Sequence, residues 1–291
     1  MSVYHTPAGI PVSVATLSRV GSRTQNEDAC GFWVTEAGYC FVVSDGAGGH
    51  AGGAVASEIA VKAVLGDYAQ APAFSPEAVG RAIAIAEKQI HQGRDDNRAL
   101  RDMTATIAVL LIDAQARHAL YGHLGDTRIY SFRRGRARQL TRDHSLVQNL
   151  VDAGYVAPGD LRKHPERSVL LAALGIESEV TAALAEKSID VQEGDAFLIC
   201  SDGLHGEVED LRLREILAMA YSPRRTLELM LEEALKNGGR DNITALLLAL
   251  DDPALRLPAQ GEVPRVMDPD LPNGDGKGSL LGRLGRALGG R

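Results

Sequence analysis

The chain alternates between short apolar runs and longer stretches in which apolar residues recur every three or four positions. Short runs rich in Val, Ile and Phe predict β-strands, whereas the longer period predicts amphipathic helices. The predicted strands cover residues 12–19, 31–34, 39–44, 104–112, 118–124, 128–133, 180–191, 196–201 and 243–250. The predicted helices cover residues 53–68, 76–92, 146–153, 211–221 and 223–236. Because strands mostly follow strands and helices come in pairs, the pattern predicts an α+β fold with helices layered on antiparallel sheets.

Two of the predicted strands run directly into the same tripeptide, Ser-Asp-Gly. Its carboxylates are Asp45 and Asp202. An ionised carboxylate left unpaired beside a buried strand costs several kcal/mol or more, so each aspartate needs water or a partner. For one such motif a Gly-assisted turn into solvent is the better interpretation, since Asp-Gly is a common turn signal. The repetition, together with further acids in similar settings, favours a bound cation.

The further acids also stand at the edges of strand-like runs. They are Glu27 and Asp28, Asp126 after the run at 118–124, and Asp241 before the run at 243–250. A single acid at a strand end is expected by chance, but all of these share the same context. Carboxylate oxygens without Cys or His at zinc spacing favour Mg²⁺ or Mn²⁺.

Six short motifs then occur in an order that resembles a known family, the metal-dependent PPM phosphatases, also called the protein phosphatase 2C family. Any one motif is weak, but the ordered set spans residues of about 20 to 245. The chain resembles most the bacterial members that oppose Hanks-type Ser/Thr kinases. The motifs are Arg23-x-x-Asn26-Glu27-Asp28, Asp45-Gly46-x-Gly48-Gly49-His50, Gly125-Asp126-Thr127-Arg128, Leu140-Thr141-Arg142-Asp143-His144-Ser145, Ser201-Asp202-Gly203-Leu204 and Gly239-Arg240-Asp241-Asn242.

The resemblance implies two divalent ions, Mg²⁺ or Mn²⁺, held by acidic residues. By position, Asp45 would bridge both ions. Asp202 and Asp241 would complete the ligands of the first ion, and Glu27 with the Gly46 carbonyl those of the second. Two divalent ions about 3.5 to 4 Å apart activate a shared water and support an in-line displacement, so no phospho-enzyme is required.

Three further roles follow from the same resemblance. Asp28 would lie behind the ligands, and Asp126 together with Asp202 would hold a third, weaker ion. Arg23 matches the phosphate-binding arginine. A planar guanidinium binds two phosphate oxygens at once, which suits this residue to a substrate clamp.

One position departs from the family pattern. Many eukaryotic members carry a histidine, credited with protonating the leaving alkoxide, where this chain has Ala47. His50, three residues on, is an alternative general acid, although isolated histidines more often pack or cap. His123, His144 and His205 are interpreted as packing residues.

The resemblance also sharpens the fold and the activity. It implies a four-layer α-β-β-α sandwich, two antiparallel sheets flanked by helix pairs, with the metal cluster at one end. The segment at 151–167 corresponds to the family's flap beside the active site. The implied function is hydrolysis of phosphoserine and phosphothreonine in proteins. The alternatives are a non-catalytic phosphoprotein-binding module and a small-molecule phosphatase on the same scaffold.

Composition adds limits on partners and compartment. The 291-residue chain has a net charge of −7, which argues against nucleic acid as a partner. Cys30, Cys40 and Cys200 lie in apolar runs without paired spacing and are interpreted as reduced core residues. With no export signal and no apolar run of about 20 residues, we expect a cytoplasmic protein. We also expect a monomer whose partners are phosphorylated proteins and a cognate kinase.

The composition changes after residue 250. Five of the twelve prolines fall in 251–291, and aromatic residues are absent there. We therefore predict a catalytic domain over 1–250 and a Pro/Gly-rich flexible tail over 251–291. The basic end of the tail, 277–291, suggests a helix that docks on a membrane surface or a partner. Disorder is the favoured interpretation, because glycine disfavours a helix.

Overall fold

The computed structural model describes residues 12–48, 52–178, 180–219 and 221–250, which form two antiparallel sheets between two layers of helices. In chain order the strands are β1 (Ser13–Arg19), β2 (Asp28–Thr35), β3 (Gly38–Ala47), β4 (Thr104–Ala105), β5 (Ile107–Asp113), β6 (His118–Leu124), β7 (Arg128–Arg133), β8 (Arg136–Gln139), β9 (Ala183–Leu184), β10 (Ile189–Asp190), β11 (Asp195–Cys200) and β12 (Ile243–Leu250). One sheet has the order β1-β12-β11-β7-β8. The other has the order β10-β6-β5-β3-β2, with β4 paired to β3 and β9 to β6.

The helices flank this sandwich on both sides. They are α1 (Gly52–Gln70), α2 (Pro76–Asp96), α3 (Leu146–Asp152), α4 (Asp202–His205), α5 (Asp210–Ala218) and α6 (Pro223–Lys236). Short 3₁₀ turns cover Arg98–Leu100 and Pro158–Lys163. Two of the longer helices begin where the sequence prescribes a start. The Ser75 side chain accepts a hydrogen bond from the Ala78 amide of α2, and the Ser222 side chain accepts one from the Arg225 amide of α6. Each of these serines precedes a proline, whose fixed φ suits the first helical position.

The central strands are buried on both faces, and this explains their continuous apolar runs. In β3, Cys40 and Val42 pack toward α1 and α2, whereas Tyr39, Phe41 and Val43 pack between the two sheets. Burying a side chain of this size contributes about 1.5–3 kcal/mol.

The same alternation occurs in β11 of the other sheet. Phe197 and Ile199 face the space between the sheets, whereas Leu198 and Cys200 face the helical layer that contains α5 and α6. The three apolar layers therefore give the order helices, sheet, sheet, helices. The predicted α+β class and four-layer architecture are confirmed.

Several predicted boundaries were wrong, for identifiable reasons. The strand predicted at 104–112 breaks at Thr106, and the one predicted at 180–191 is only two short pieces, β9 and β10. The polar strand β8 and the short helix α4 were not predicted, because neither shows apolar periodicity. The three cysteines are buried and free, as expected. Among the described helices, none combines the length and the apolar character that crossing a bilayer requires.

Candidate metal centre

The predicted acidic residues lie at one end of the sandwich, where several strands begin or end. The pairing of β2 with β3 places Asp28 directly opposite Asp45, and Glu27 immediately precedes β2. Asp202 is the first residue of α4, just after β11, and Asp241 lies two positions before β12. Asp126 follows β6. Antiparallel pairing brings these ends together, although the residues are far apart in the sequence.

Asp45 is a strongly perturbed group of this cluster. Burial raises its pKa well above the ordinary range, and repulsion from Asp28, Asp202, Asp126 and Asp241 raises it further. Because four separate acids act on Asp45, it is the carboxylate that the others surround. This position fits the bridging role that the family resemblance implies.

The neighbouring carboxyl groups are perturbed in the same direction. Burial raises the pKa of Asp28 to about 7, although hydrogen bonds from Ser201 and Thr244 act in the opposite direction. Burial, with repulsion from Asp241, raises the pKa of Asp202 to about 6.

The two outer acids of the cluster follow the same trend. Burial raises the pKa of Asp126 well above its usual range, and repulsion from Asp202 adds to this effect. Burial also raises the pKa of Glu27, although the nearby Arg23 charge opposes it. Mutual repulsion of this kind is relieved when a cation binds among the acids.

Two carboxylate oxygens in the cluster lack any partner. Asp28 Oδ1 and Asp202 Oδ1 are buried and accept no hydrogen bond. Buried acceptors are normally satisfied, so such atoms require a specific explanation. An all-oxygen set of acidic donors with unused lone pairs fits a hard divalent cation such as Mg²⁺ or Mn²⁺.

The carboxylate side chains of the cluster do not converge on one position that a metal ion could occupy. Among the described residues, no three His, Cys, Asp or Glu side chains form a ready coordination sphere. The repulsion between the carboxylates opposes tighter convergence. The assignment of individual ligands therefore stays a prediction.

Asn242 fixes the loop that carries Glu27, a role that the sequence did not reveal. Its Nδ2 donates to the carbonyls of Val20 and Gln25, each at 2.9 Å. Its Oδ1 accepts the backbone N–H of Glu27 at 2.8 Å. One buried amide thus satisfies three backbone groups and holds the loop against the start of β12.

The serines of the two Ser-Asp-Gly motifs are both buried but have different partners. Ser201 Oγ donates to Asp28 Oδ2 at 2.8 Å, which links the end of β11 to the start of β2. Ser44 Oγ donates to the Thr106 carbonyl at 2.6 Å. The identical tripeptides gave no signal of this difference.

The glycine after Asp45 is required by close backbone approach. A Cβ on Gly46 would lie 2.0 Å from the Gly53 carbonyl oxygen and 2.7 Å from that of Glu27. The Gly46 amide also donates to the Glu27 carbonyl at 3.1 Å. This glycine within β3 therefore allows the close approach that holds Glu27 and Asp45 side by side.

Thr106 connects the end of β3 at Asp45 with the loop of Asp126. Its Oγ1 accepts the Asp45 backbone N–H at 3.0 Å and lies 2.6 Å from Thr127 Oγ1. Thr106 also donates its backbone N–H to the Asp45 carbonyl at 2.8 Å. The ladder is interrupted between β4 and β5 because the Asp45 N–H bonds to the Thr106 hydroxyl and not to its carbonyl. The hydroxyl pair holds the end of β3 and the loop of Asp126 in a fixed relation.

The predicted catalytic residues have different outcomes. The Arg23 side chain is 57% exposed at the rim, and its Nη2 lies 2.8 Å from Asp241 Oδ2. Ala47 ends β3, and His50 lies outside the described residues. The clamp role of Arg23 and the general-acid role of His50 stay predictions.

The three other histidines make packing contacts. The rings of His123 and His144 stack with centroids 4.7 Å apart, and His123 Nε2 lies 2.8 Å from the Arg142 carbonyl oxygen. His205 Nε2 lies 3.0 Å from the Asp126 carbonyl oxygen. These contacts agree with the packing interpretation.

A small cavity of about 50 Å³ separates the acids from the segment that follows α3. Arg162 and Arg167 of that segment line it, together with Asp126 and Asp202. The Arg167 charge acts to lower the pKa of Asp202, so this arginine faces the acids. Tyr155, 81% exposed, lies on the same segment. The segment after α3 therefore lies beside the acids, where the flap is predicted to be.

A family model described as "Protein phosphatase 2C" matches residues 17–247, which include every predicted metal ligand. The chain belongs to the protein phosphatase 2C family. Protein phosphatase PhpP of Streptococcus pneumoniae is 32% identical over 249 residues, which cover 83% of this chain and 98% of that protein.

Solved structures of the family have the same architecture. The Mycobacterium tuberculosis serine/threonine phosphatase PstP/Ppp is 30% identical, with a TM-score of 0.71 over 83% of this chain and 99% of that one. The catalytic domain of serine/threonine protein phosphatase PstP, in complex with two manganese ions, is 29% identical, with a TM-score of 0.72 and the same coverage. The ordered motifs of this chain therefore lie in the fold that the resemblance implied.

Proposed function

We propose that this chain is a Mg²⁺- or Mn²⁺-dependent phosphatase that hydrolyses phosphoserine and phosphothreonine in proteins. The observation that carries the proposal is the cluster of mutually repelling carboxylates, in which Asp28 Oδ1 and Asp202 Oδ1 are buried and have no hydrogen-bond partner among the described residues. The family membership and the relatives named as serine/threonine phosphatases support it.

The acidic residues have distinct roles in this proposal. Asp45 would be shared by two ions; Asp202 and Asp241 would hold the first, and Glu27 with the Gly46 carbonyl would hold the second. When bound, such ions lower the pKa of a shared water and stabilise the charge at both ends of an in-line displacement.

The remaining acids support this pair. Asp28 orients the cluster through its hydrogen bond from Ser201, and Asp126 with Asp202 would hold a third, weaker ion. The all-oxygen donor set suits Mg²⁺ and Mn²⁺ equally, so either ion fits the proposal.

Arg23 positions the substrate. Its guanidinium exchanges the single exposed contact with Asp241 for two oxygens of the phosphoryl group, which offer a bidentate geometry with more charge. An exposed ion pair contributes roughly 0–1 kcal/mol, so the exchange meets little resistance.

His50 is our candidate for the proton donor to the leaving alkoxide, because Ala47 has no proton to give. The His50→Ala variant should lose more activity on a phosphoserine peptide than on an aryl phosphate, whose good leaving group needs no proton. Equal losses on both substrates would remove His50 from this role.

The wider biological assignment belongs to the same proposal. The chain acts on phosphorylated proteins and opposes a Hanks-type Ser/Thr kinase in a bacterial cytoplasm, as a monomer. The catalytic domain belongs to residues 1–250, and the tail predicted over 251–291 lies outside the described residues.

The test measures hydrolysis of an aryl phosphate and a phosphothreonine peptide, with Mn²⁺ and with chelator, alongside calorimetry of Mn²⁺ binding. We expect activity that requires metal, and a loss of several orders of magnitude in Asp45→Asn. The matched control is Asp102→Asn, which removes a carboxylate whose side chain is 74% exposed, and it should retain full activity. Phosphopeptide binding without turnover would favour the non-catalytic module, and turnover without metal would contradict the mechanism.

A further inference from the structure

The hairpin formed by β7 and β8 carries an unusual concentration of arginine. Its turn is Arg134-Gly135, both with positive φ, of 48° and 73°. Such a two-residue turn fits the right-handed twist of a tight hairpin. β8 is the outermost strand of its sheet and, among the described strands, pairs with β7 alone, so its other backbone edge has no partner in the described part of the chain. An open edge is a ready template for an additional extended strand.

The register places the β8 arginines on one face. Arg136 lies opposite Arg133, and Arg138 lies opposite Ser131. Ser131 is in turn paired with Phe197 of β11, whose side chain belongs to the layer between the sheets. The two β8 arginines therefore project on the inner side of the sheet, at the open edge of the sandwich.

An open groove of about 710 Å³ lies at this edge. Its apolar floor includes the half-buried Ile189 and the buried Phe197, and its polar rim includes Arg134, Arg136 and Arg138. A concave surface with an apolar floor and a charged rim is typical of a peptide-binding groove.

The charges on this rim are not balanced within the described part of the chain. Arg133 is held by Asp195, with Nε to Oδ1 at 2.7 Å and Nη2 to Oδ2 at 2.6 Å. In contrast, Arg134, Arg136 and Arg138 are exposed and form no ion pair with a described residue. Three unpaired cations in five residues stand out in a chain whose net charge is −7.

The groove is remote from the acidic cluster. β7 runs from Arg128, which pairs with Asp143 near the acids, to Arg133 at the groove. Six strand residues span about 17 Å, so one extended peptide needs at least about six residues to reach both places.

We propose that this groove docks an acidic, extended segment of the phosphoprotein substrate, distant in sequence from the phosphorylated residue. The segment pairs with the open edge of β8 and places its carboxylates on Arg134, Arg136 and Arg138. Opposite charges and free backbone groups together favour an acidic strand over other occupants. The assignment of the occupant as a substrate segment rests on the proposed function.

The test separates docking from catalysis. One phosphothreonine peptide carries four glutamates that begin eight residues from the phosphothreonine, and a second peptide has glutamines at these positions. We expect kcat/KM to be about tenfold higher for the glutamate peptide, through KM, because several exposed ion pairs each contribute a fraction of a kcal/mol. Fluorescence anisotropy of the unphosphorylated glutamate peptide measures docking even if no activity exists.

The variant Arg134→Gln/Arg136→Gln/Arg138→Gln should remove the preference and the salt-dependent binding, while hydrolysis of an aryl phosphate stays unchanged. The matched control is Lys88→Gln/Arg98→Gln/Arg214→Gln, which removes three exposed cations elsewhere and should retain the preference. The two peptides compared on the unaltered protein give the same test without a substitution.

Several results would overturn the proposal. Equal kcat/KM for both peptides would show that the groove does not read acidic segments. Binding of anionic vesicles without peptide binding would assign the arginines to a membrane surface. A dimer that the triple variant dissociates would assign the edge to a second copy of the chain. If the triple variant aggregates but still prefers the glutamate peptide, the arginines serve only to protect an exposed strand edge from pairing with other chains.

Discussion

Replacing Asp28 by asparagine is expected to stabilise the protein at pH 8 in the presence of a chelator. Asp28 lies opposite Asp45 in the β2–β3 pair, and burial raises its pKa to about 7. At pH 8 the folded protein must therefore hold a charge that its surroundings disfavour. Asparagine has nearly the same shape, remains neutral, and still offers an oxygen to the Ser201 hydroxyl, 2.8 Å away in the parent protein.

The magnitude follows from the pKa in the two states. The difference between 3.8 and about 7, at about 1.4 kcal/mol per pH unit, corresponds to about 4 kcal/mol at pH 8. Because the pKa of Asp28 is higher in the folded state, folding favours the protonated carboxyl. This contribution to stability is complete below pH 3.8 and is lost as the pH rises to about 7. At pH 5 the loss is only about 2 kcal/mol, so Asp28→Asn should gain roughly 2–3 kcal/mol on the parent between pH 5 and pH 8.

Urea unfolding at both pH values, with chelator and then with saturating Mn²⁺, measures this difference. The control variant Asp102→Asn removes an exposed carboxylate and should follow the parent protein at both pH values. Bound Mn²⁺ should abolish the advantage of Asp28→Asn, because the ions neutralise the same repulsion. Parallel stability curves for the parent and Asp28→Asn in chelator would refute the account of the cluster as a set of mutually repelling buried acids.

Three further predictions concern the same end of the molecule. Thr106→Val should lower the free energy of unfolding by about 1–3 kcal/mol in denaturant titrations, because it leaves the Asp45 amide and the Thr127 hydroxyl unpaired. Thr106→Ser keeps the hydroxyl and should remain near the parent value. Arg23→Lys should raise KM for a phosphothreonine peptide about tenfold in steady-state assays, since lysine lacks the guanidinium fork, and an unchanged KM would remove the clamp role. Mn²⁺ affinity should rise from pH 5 to about 7, because the pKa values of Asp202 and Asp28 are about 6 and about 7 and the ion displaces their protons. Calorimetry should detect the released protons, and binding without proton release at pH 6 would contradict the raised pKa values.

The sequence by itself determined the class of fold and the identity of the acidic cluster. The side-chain repeat is local to each element, so the sequence shows which segments are strands and which are helices. The order of these elements, with strands following strands and helices in pairs, indicates antiparallel layers. Asp45 and Asp202 were recognisable because an acid at the mouth of a buried strand is costly without a partner.

The tertiary structure alone decided how those acids are held. Asn242 bonds to Val20, Gln25 and Glu27, each more than 210 positions away, and no local pattern encodes such contacts. The strand β8 was missed because its four residues lack apolar alternation, and its pairing depends on β7. Hydrophobic periodicity encodes what each segment buries, whereas the contacts of a buried polar group depend on which distant segments the fold brings beside it.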